Sequence, residues 1–167
     1  MTRADNPSTP TELIAQLEAE QRELVLTHFD HDDAWQLGQL LVDLAHERRA
    51  PVTIDIRHGS HQLFHYALPG TSADNDAWIE RKSRVVARFG DSSYLVGARG
   101  RLAGRSLQER GMDPLHHADH GGSFPITIAG VGAIGAVTVS GLPQAEDHAL
   151  VVEALRRFAA HSDRIAG

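Results

Sequence analysis

The chain predicts an α+β fold, a mostly antiparallel sheet with helices packed against it. Three observations carry this reading: capped stretches of 3.6-residue periodicity, alternating stretches that arrive in pairs around short turns, and the placement of those pairs between blocks of helix. Strands joined by a tight turn pair antiparallel, whereas a parallel neighbour needs a long crossover, so hairpins between helices do not build a strand-helix-strand array.

The elements follow in order. Thr9 is placed as an N-cap, Pro10 as the first helical residue and Glu12 as the capping-box partner, which opens a helix over about 10–22 with Ile14, Leu17 and Leu24 roughly on one face. "LVLTHF" (24–29) reads as a strand. Asp30 then caps a second helix in which Ala34, Leu37, Gly38, Leu41, Leu44 and Ala45 keep the helical period. Asp32 and Asp33 at its start and Arg48 and Arg49 at its end oppose the macrodipole, and Pro51 stops it. Val52, Ile54 and Ile56 alternate with Thr53, Asp55 and Arg57, and "HQLFHYAL" continues beyond the Gly59-Ser60 turn as the second arm of a hairpin. A third helix over 73–89 carries Trp78, Val85, Val86 and Phe89, and "SSYLVGARGRLAG" reads as a shorter helix interrupted by glycines. Residues 104–123 read as loop. "FPITIAG" and "AIGAVTVSG" form a second hairpin across Val131-Gly132, and Val151, Ala154, Leu155 and Phe158 mark a last helix over about 143–160.

Composition limits what such a fold does. The 167 residues suffice for one domain, placed at 10–162 behind a disordered N-terminal arm (1–9), and a chain of this size buries about 70% of its unfolded surface. With 22 acidic against 16 basic residues, a formal charge of -6 and 5% aromatics, nucleic acid and anionic membranes are disfavoured partners. The chain has no cysteine, so thiolate ligands, thiol nucleophiles and disulfides are excluded. The polar, acidic N-terminus lacks an apolar signal core and no run of eighteen apolar residues occurs, so a cytoplasmic location is expected.

Few residues point to chemistry. In "HHADHGGSFPI" (116–126), His116, His117 and His120 match the H-x-x-x-H spacing of a zinc helix in number only, since Pro114 and Gly121-Gly122 leave no helical frame; no metal site is assigned. The glycine pair permits backbone N–H groups to point together at an anion, or marks a plain loop entering an edge strand that tolerates Pro125. Lys82 falls in a stripe with Asn75, Trp78, Val85 and Phe89; its ammonium pairs with a carboxylate such as Asp147, meets an anionic ligand, or snorkels beside Trp78. The small-residue strand Ala133–Ser140 lets a backbone or a flat ligand approach closely. His65 and His28 read as core or interface residues, and Glu146, Asp147 and His148 as the start of the last helix. No nucleophile elbow, Walker loop or dinucleotide fingerprint is present, and catalytic residues are not identified.

The order "NDAWIERK" (75–82), "SSY" (92–94), "DHGGSFPI" (119–126) and "GAIGAVTVSGLPQAEDH" (132–148) resembles the haem-degrading-domain family, also called GlcG/HbpS-like, and within it the branch of uncharacterised (UPF-type) proteins. The resemblance covers about residues 20–160. It implies a profilin-like, three-layer α/β/α fold with a five-stranded antiparallel sheet, homodimers or larger rings, and haem as the cofactor some relatives bind. The family pattern falls on Trp78, Arg81, Lys82, Ser92, Ser93, His120, Gly121, Gly122, Phe124, Pro125, Ser140, Gly141, Asp147 and His148, and leaves out His116 and His117. The leading expectation is a homo-oligomeric binding protein for a small anionic or tetrapyrrole ligand, with Trp78, Arg81, Lys82, Ser93, His120, Gly121, Gly122 and Phe124 as the ligand-binding set. A haem-degrading or other small-molecule enzyme, with His120 or His148 handling protons, and a structural module using the Trp78 face for subunit contacts are the alternatives.

Overall fold

The computed structural model describes residue 7 and residues 9–161; apart from residues 7 and 9, the expected arm lies outside them, as does residue 162. The elements are α1 (Pro10–Glu23), β1 (Val25–Leu26), α2 (His31–Glu47), β2 (Thr53–His58), β3 (His61–Ala67), α3 (Ala73–Phe89), α4 (Ser93–Leu102), β4 (Ser123–Ile128), β5 (Gly132–Ser140) and α5 (Gln144–Ala160). The capping boxes read from Thr9 and Asp30 are formed, with Glu12 and Asp33 reaching back to the cap N–H groups. Ser72 caps α3 in the same way through Asn75.

The five strands lie in the order β1-β4-β5-β2-β3. Three pairings are antiparallel, and both hairpins fall where the sequence places them. The sheet is mixed rather than wholly antiparallel, because β1 runs parallel to β4 through Val25↔Thr127 and Leu26↔Ile128. Of the expected strand 24–29 only these two residues pair. α1 ends immediately before them and β4 ends at Ile128, so the ladder has no room to grow in either direction. Pro125 lacks an N–H, and it sits on β4 where β1 does not reach, so the missing donor costs no hydrogen bond.

Helices cover both faces. α2 and α5 pack on one, closing a core of Leu37, Leu41, Leu44, Ile54, Ile56, Phe124, Val137, Val139, Leu155 and Phe158. α3 and α4 cover the other, with α1 laid on α4 through Leu17, Leu95 and Ala98. Thr53 and Asp55, the polar residues of the alternating strand, are therefore fully buried beneath α3. Phe89, placed by its spacing in the apolar stripe of α3, is 43% exposed, with the Arg88 guanidinium 5.5 Å from its ring centre.

The glycines of α4 admit the long connection that follows it. A Cβ at Gly97 would collide with the Asp119 carbonyl and one at Gly100 with the Arg110 guanidinium. Residues 104–122, read as loop, contain a single 3-10 turn (Gln108–Arg110) and are held by side chains rather than by a ladder. Three arginines one helical turn apart on α3 donate to its carbonyls: Arg81 to Pro114 (3.1 Å), Arg84 to His116 (3.3 Å) and Arg88 to Gly111 (3.1 Å). This clamp fixes where the histidine-rich turn meets the body of the fold. Among the described residues no helix is long and apolar enough to cross a membrane.

Candidate functional site

A cleft of about 270 Å³ opens between the first turns of α3, the His120–Gly121 turn and the β5–α5 junction. Lys82 forms its floor and is 2% exposed. A buried ammonium requires three acceptors, and Lys82 has them: Val139 O at 2.6 Å, Gly121 O at 3.1 Å and Asp147 Oδ2 at 3.2 Å. Asp147 also accepts from Leu142 N (2.9 Å) and Gly141 N (3.4 Å). Burial pushes the Lys82 pKa down and the Asp147 pKa up, and each charge resists the other's shift.

At the mouth, Trp78 and His120 meet edge to face, with ring centres 5.3 Å apart. Arg81 stacks behind the indole, its guanidinium carbon 4.4 Å from the ring centre. Burial is the largest influence on His120 and holds it below the ordinary histidine range; Asp119 pulls the other way, and Arg101, Lys82 and Arg81 add to the lowering. Neither ring nitrogen of His120 has a hydrogen-bond partner among the described residues.

The fold thus brings Trp78, Lys82, His120 and Gly121 into one cleft and separates the rest of the expected set. Lys82 holds the floor together and has no N–H left for a ligand. Arg81 props Trp78 and anchors the loop without lining the cleft. The Gly121-Gly122 pair does not present a nest of amides: Gly121 N donates to Gln144 Oε1 (3.2 Å), and the Gly121 and Gly122 carbonyls accept from Lys82 and Val139. Glycine is required for closeness, since a Cβ at Gly122 would strike the Lys82 ammonium and one at Gly121 the Gln144 carbonyl. Ser93 and Phe124 lie elsewhere: Ser93 Oγ accepts from Ser123 N (3.1 Å) beneath α4, and Phe124 fills the α2–α5 core.

Other candidates are accounted for locally. His148 is 4% exposed and bonded to Glu20 Oε2 at 2.7 Å between Tyr94 and Phe124, away from the Trp78–His120 cleft, and its Nδ1 is buried without a partner among the described residues. His65, read as core or interface, is exposed and meets Asp76 at 2.7 Å. His28 is likewise exposed, 3.7 Å from Asp33. His116 and His117 turn toward Asp113, and among the described residues no three His, Asp or Glu side chains converge as a metal site. Asp74, Leu142 and Gln144 line the cleft without having been singled out. The signal that would have found the last two is the strand-Gly-x-Pro-helix junction "SGLPQ", which marks a strand end running straight into a helix start.

The sequence profile described as "Haem degrading protein HbpS-like" matches residues 29–156. A UPF0303 protein of Streptomyces coelicolor is 61% identical over 153 residues, covering 91% of this chain and 96% of that protein. Among solved structures, the Ybr137w protein superposes with a TM-score of 0.83 at 32% identity, over 90% of each chain. A PduOC:heme complex superposes with a TM-score of 0.66 at 18% identity, over 78% of this chain and 94% of that one, a likeness of fold.

Proposed function

The chain belongs to the HbpS-like family of haem-degrading proteins, and from that premise we propose that it binds a small anionic or tetrapyrrole ligand at the Trp78–His120 cleft. The observation that carries this reading is the edge-to-face pair of His120 and Trp78, with both imidazole nitrogens unbonded within the fold, at the mouth of a cleft whose Lys82 floor is internally satisfied. Recognition sites combine an apolar wall with a few convergent polar groups in this way. The first turns of two 17-residue helices, α3 and α5, also border the cleft, and their positive ends favour an anion. For a haem, His120 offers an imidazole nitrogen to the iron and Trp78 an apolar face. Trp78, His120 and the cleft lining would hold an edge or a side arm of such a macrocycle. Haem, when bound, supplies a redox-active iron; the chain's own groups bind and orient it.

Titration of haemin into the wild type and His120→Ala tests the reading. A Soret shift with the wild type that is lost in the variant supports it. No shift with the wild type removes the tetrapyrrole, and the same shift with both removes His120. We also propose that copies associate through the free edge of β3, where Trp35 (57% exposed) and Tyr66 (42% exposed) present rings beside a strand without Asp, Glu, Lys or Arg. Native mass spectrometry of Trp35→Glu should then show a smaller assembly than the wild type.

A further inference from the structure

Building on the cleft as a ligand site, we propose that its inner end is a carboxylate subsite, formed by the Ser140 hydroxyl and the free N–H groups that open α5. It takes a small planar monocarboxylate whose ring lies against Trp78. Ser140 is 4% exposed, ends β5 and lines the cleft, yet its hydroxyl has no partner among the described residues. Directly opposite it in the sheet stands Thr53, whose Oγ1 is fully buried and also unbonded. Buried hydroxyls are almost always hydrogen-bonded, so a buried, unbonded Thr53 Oγ1 across the strands from an unbonded Ser140 hydroxyl that reaches the cleft marks a polar corner with room for an acceptor the chain does not supply.

The start of α5 provides the remaining donors. Its N-cap is Pro143, which has no side chain able to accept from the first turn. Gln144 directs its Oε1 to Gly121 N, which leaves its own backbone N–H and its Nε2 without a partner beside Ser140. These N–H groups carry the partial positive charge of a 17-residue helix.

The charge of the ligand follows from what is already neutralised. Lys82 is the one cation lining the cleft, and Gly121 O, Val139 O and Asp147 saturate it. Asp74 and Asp147 stand in the same lining. Helix starts carry only partial positive charge, and Asp74 stands in the lining beside the Lys82–Asp147 pair, so a monoanion is favoured over a phosphate dianion. Trp78 and Leu142 supply the wall for a planar body, and the volume of about 270 Å³ keeps that body small. A free aromatic acid and a propionate arm of a tetrapyrrole share this chemistry, and the experiment separates them.

Benzoate titrated into the full chain, followed by ¹H–¹⁵N NMR at the Gly141–Ala145 amides, is the direct probe. Ser140→Ala should weaken benzoate about tenfold or more, the effect of losing one hydrogen bond to a charged group. Gln144→Pro removes a first-turn N–H at a position that tolerates proline, since Pro143 holds ψ 146, and it should weaken binding several-fold more than Gln144→Ala. Benzoate binding that is unaffected by Ser140→Ala and equal in the two Gln144 variants overturns the subsite, as does displacement by equimolar inorganic phosphate. Haemin bound through His120 with no benzoate binding leaves the cleft reading standing and removes the subsite. Ser140-dependent benzoate binding without haemin binding keeps the subsite and removes the tetrapyrrole. Binding of neither removes both.

Discussion

On the α2–α5 side the sheet presents Ile54, Ile56, Phe124, Ile126, Val137 and Val139 to helices whose inner residues are apolar, whereas on the α3–α4 side it presents Thr53, Asp55, Ser123, Thr138 and Ser140. The first layer is held by a non-directional force that scales with buried area. The second has to be matched partner by partner. Ser123 Oγ meets Thr138 Oγ1 at 2.8 Å, Ser93 bridges the Ser123 backbone, Asp55 takes Arg57 and Gln62, and Lys82 takes its three acceptors. In a layer assembled by such matching, the groups left over are informative. Thr53 Oγ1 is left buried without a partner among the described residues, and Ser140, opposite it across the strands, lines the same cleft as the exposed His120.

The contrast can be broken from either side. In the apolar layer, Phe158→Ala should cost about 3–5 kcal/mol in urea unfolding, as a cavity in close-packed surroundings. In the polar layer, Lys82→Met should cost about 3 kcal/mol by leaving Asp147 buried without its counter-ion, and Lys82→Met combined with Asp147→Leu should recover most of that loss. If the double variant is as unstable as the single one, the pair does more than neutralise itself. Thr53→Val should raise stability by about 1 kcal/mol, because it removes a buried hydroxyl that bonds to nothing. A loss instead would show that the hydroxyl has a partner in solution.

The smallest effect concerns pH. Burial holds the folded His120 below its unfolded pKa, so the unfolded chain takes up the proton first. Stability is therefore level above the ordinary histidine value of about 6.5 and declines as pH falls from there toward the folded value. His120→Asn should remove that part of the slope in denaturation curves measured across this window. Glu20 is shifted the same way by its bonds to His148 and Gln16, which outweigh its burial. Its contribution is present above the ordinary glutamate value, about 4.3, and fades as pH falls through the folded one. Loss of amide protection in α1 ahead of α2 on acidification, read by hydrogen exchange, checks it.

Much of the frame was legible before any coordinates. The caps at Thr9 and Asp30, the period of α2 and the two hairpin turns are local signals, each contained within a few residues, and each is formed. β1 was overestimated because strand length is set by the partner, and β4 offers it two residues. Lys82 illustrates the limit for the site. Its place in an apolar stripe showed that it needed a partner, and Asp147 was chemically suitable, but its other two acceptors are backbone carbonyls, which carry no trace in a side-chain pattern.

Sequence by itself determined the helices, the hairpins and the family, because caps, periodicity and turn chemistry act between near neighbours and survive wherever the segment is placed. Only the tertiary structure decided that the glycine pair spends its polar groups on partners within the fold, that Arg81 props the indole, and that Ser140 and the start of α5 face the same space as Trp78. Those outcomes depend on which atoms of distant segments come within 3 Å of one another, and that distance is set by the packing of the whole layer rather than by any stretch of it.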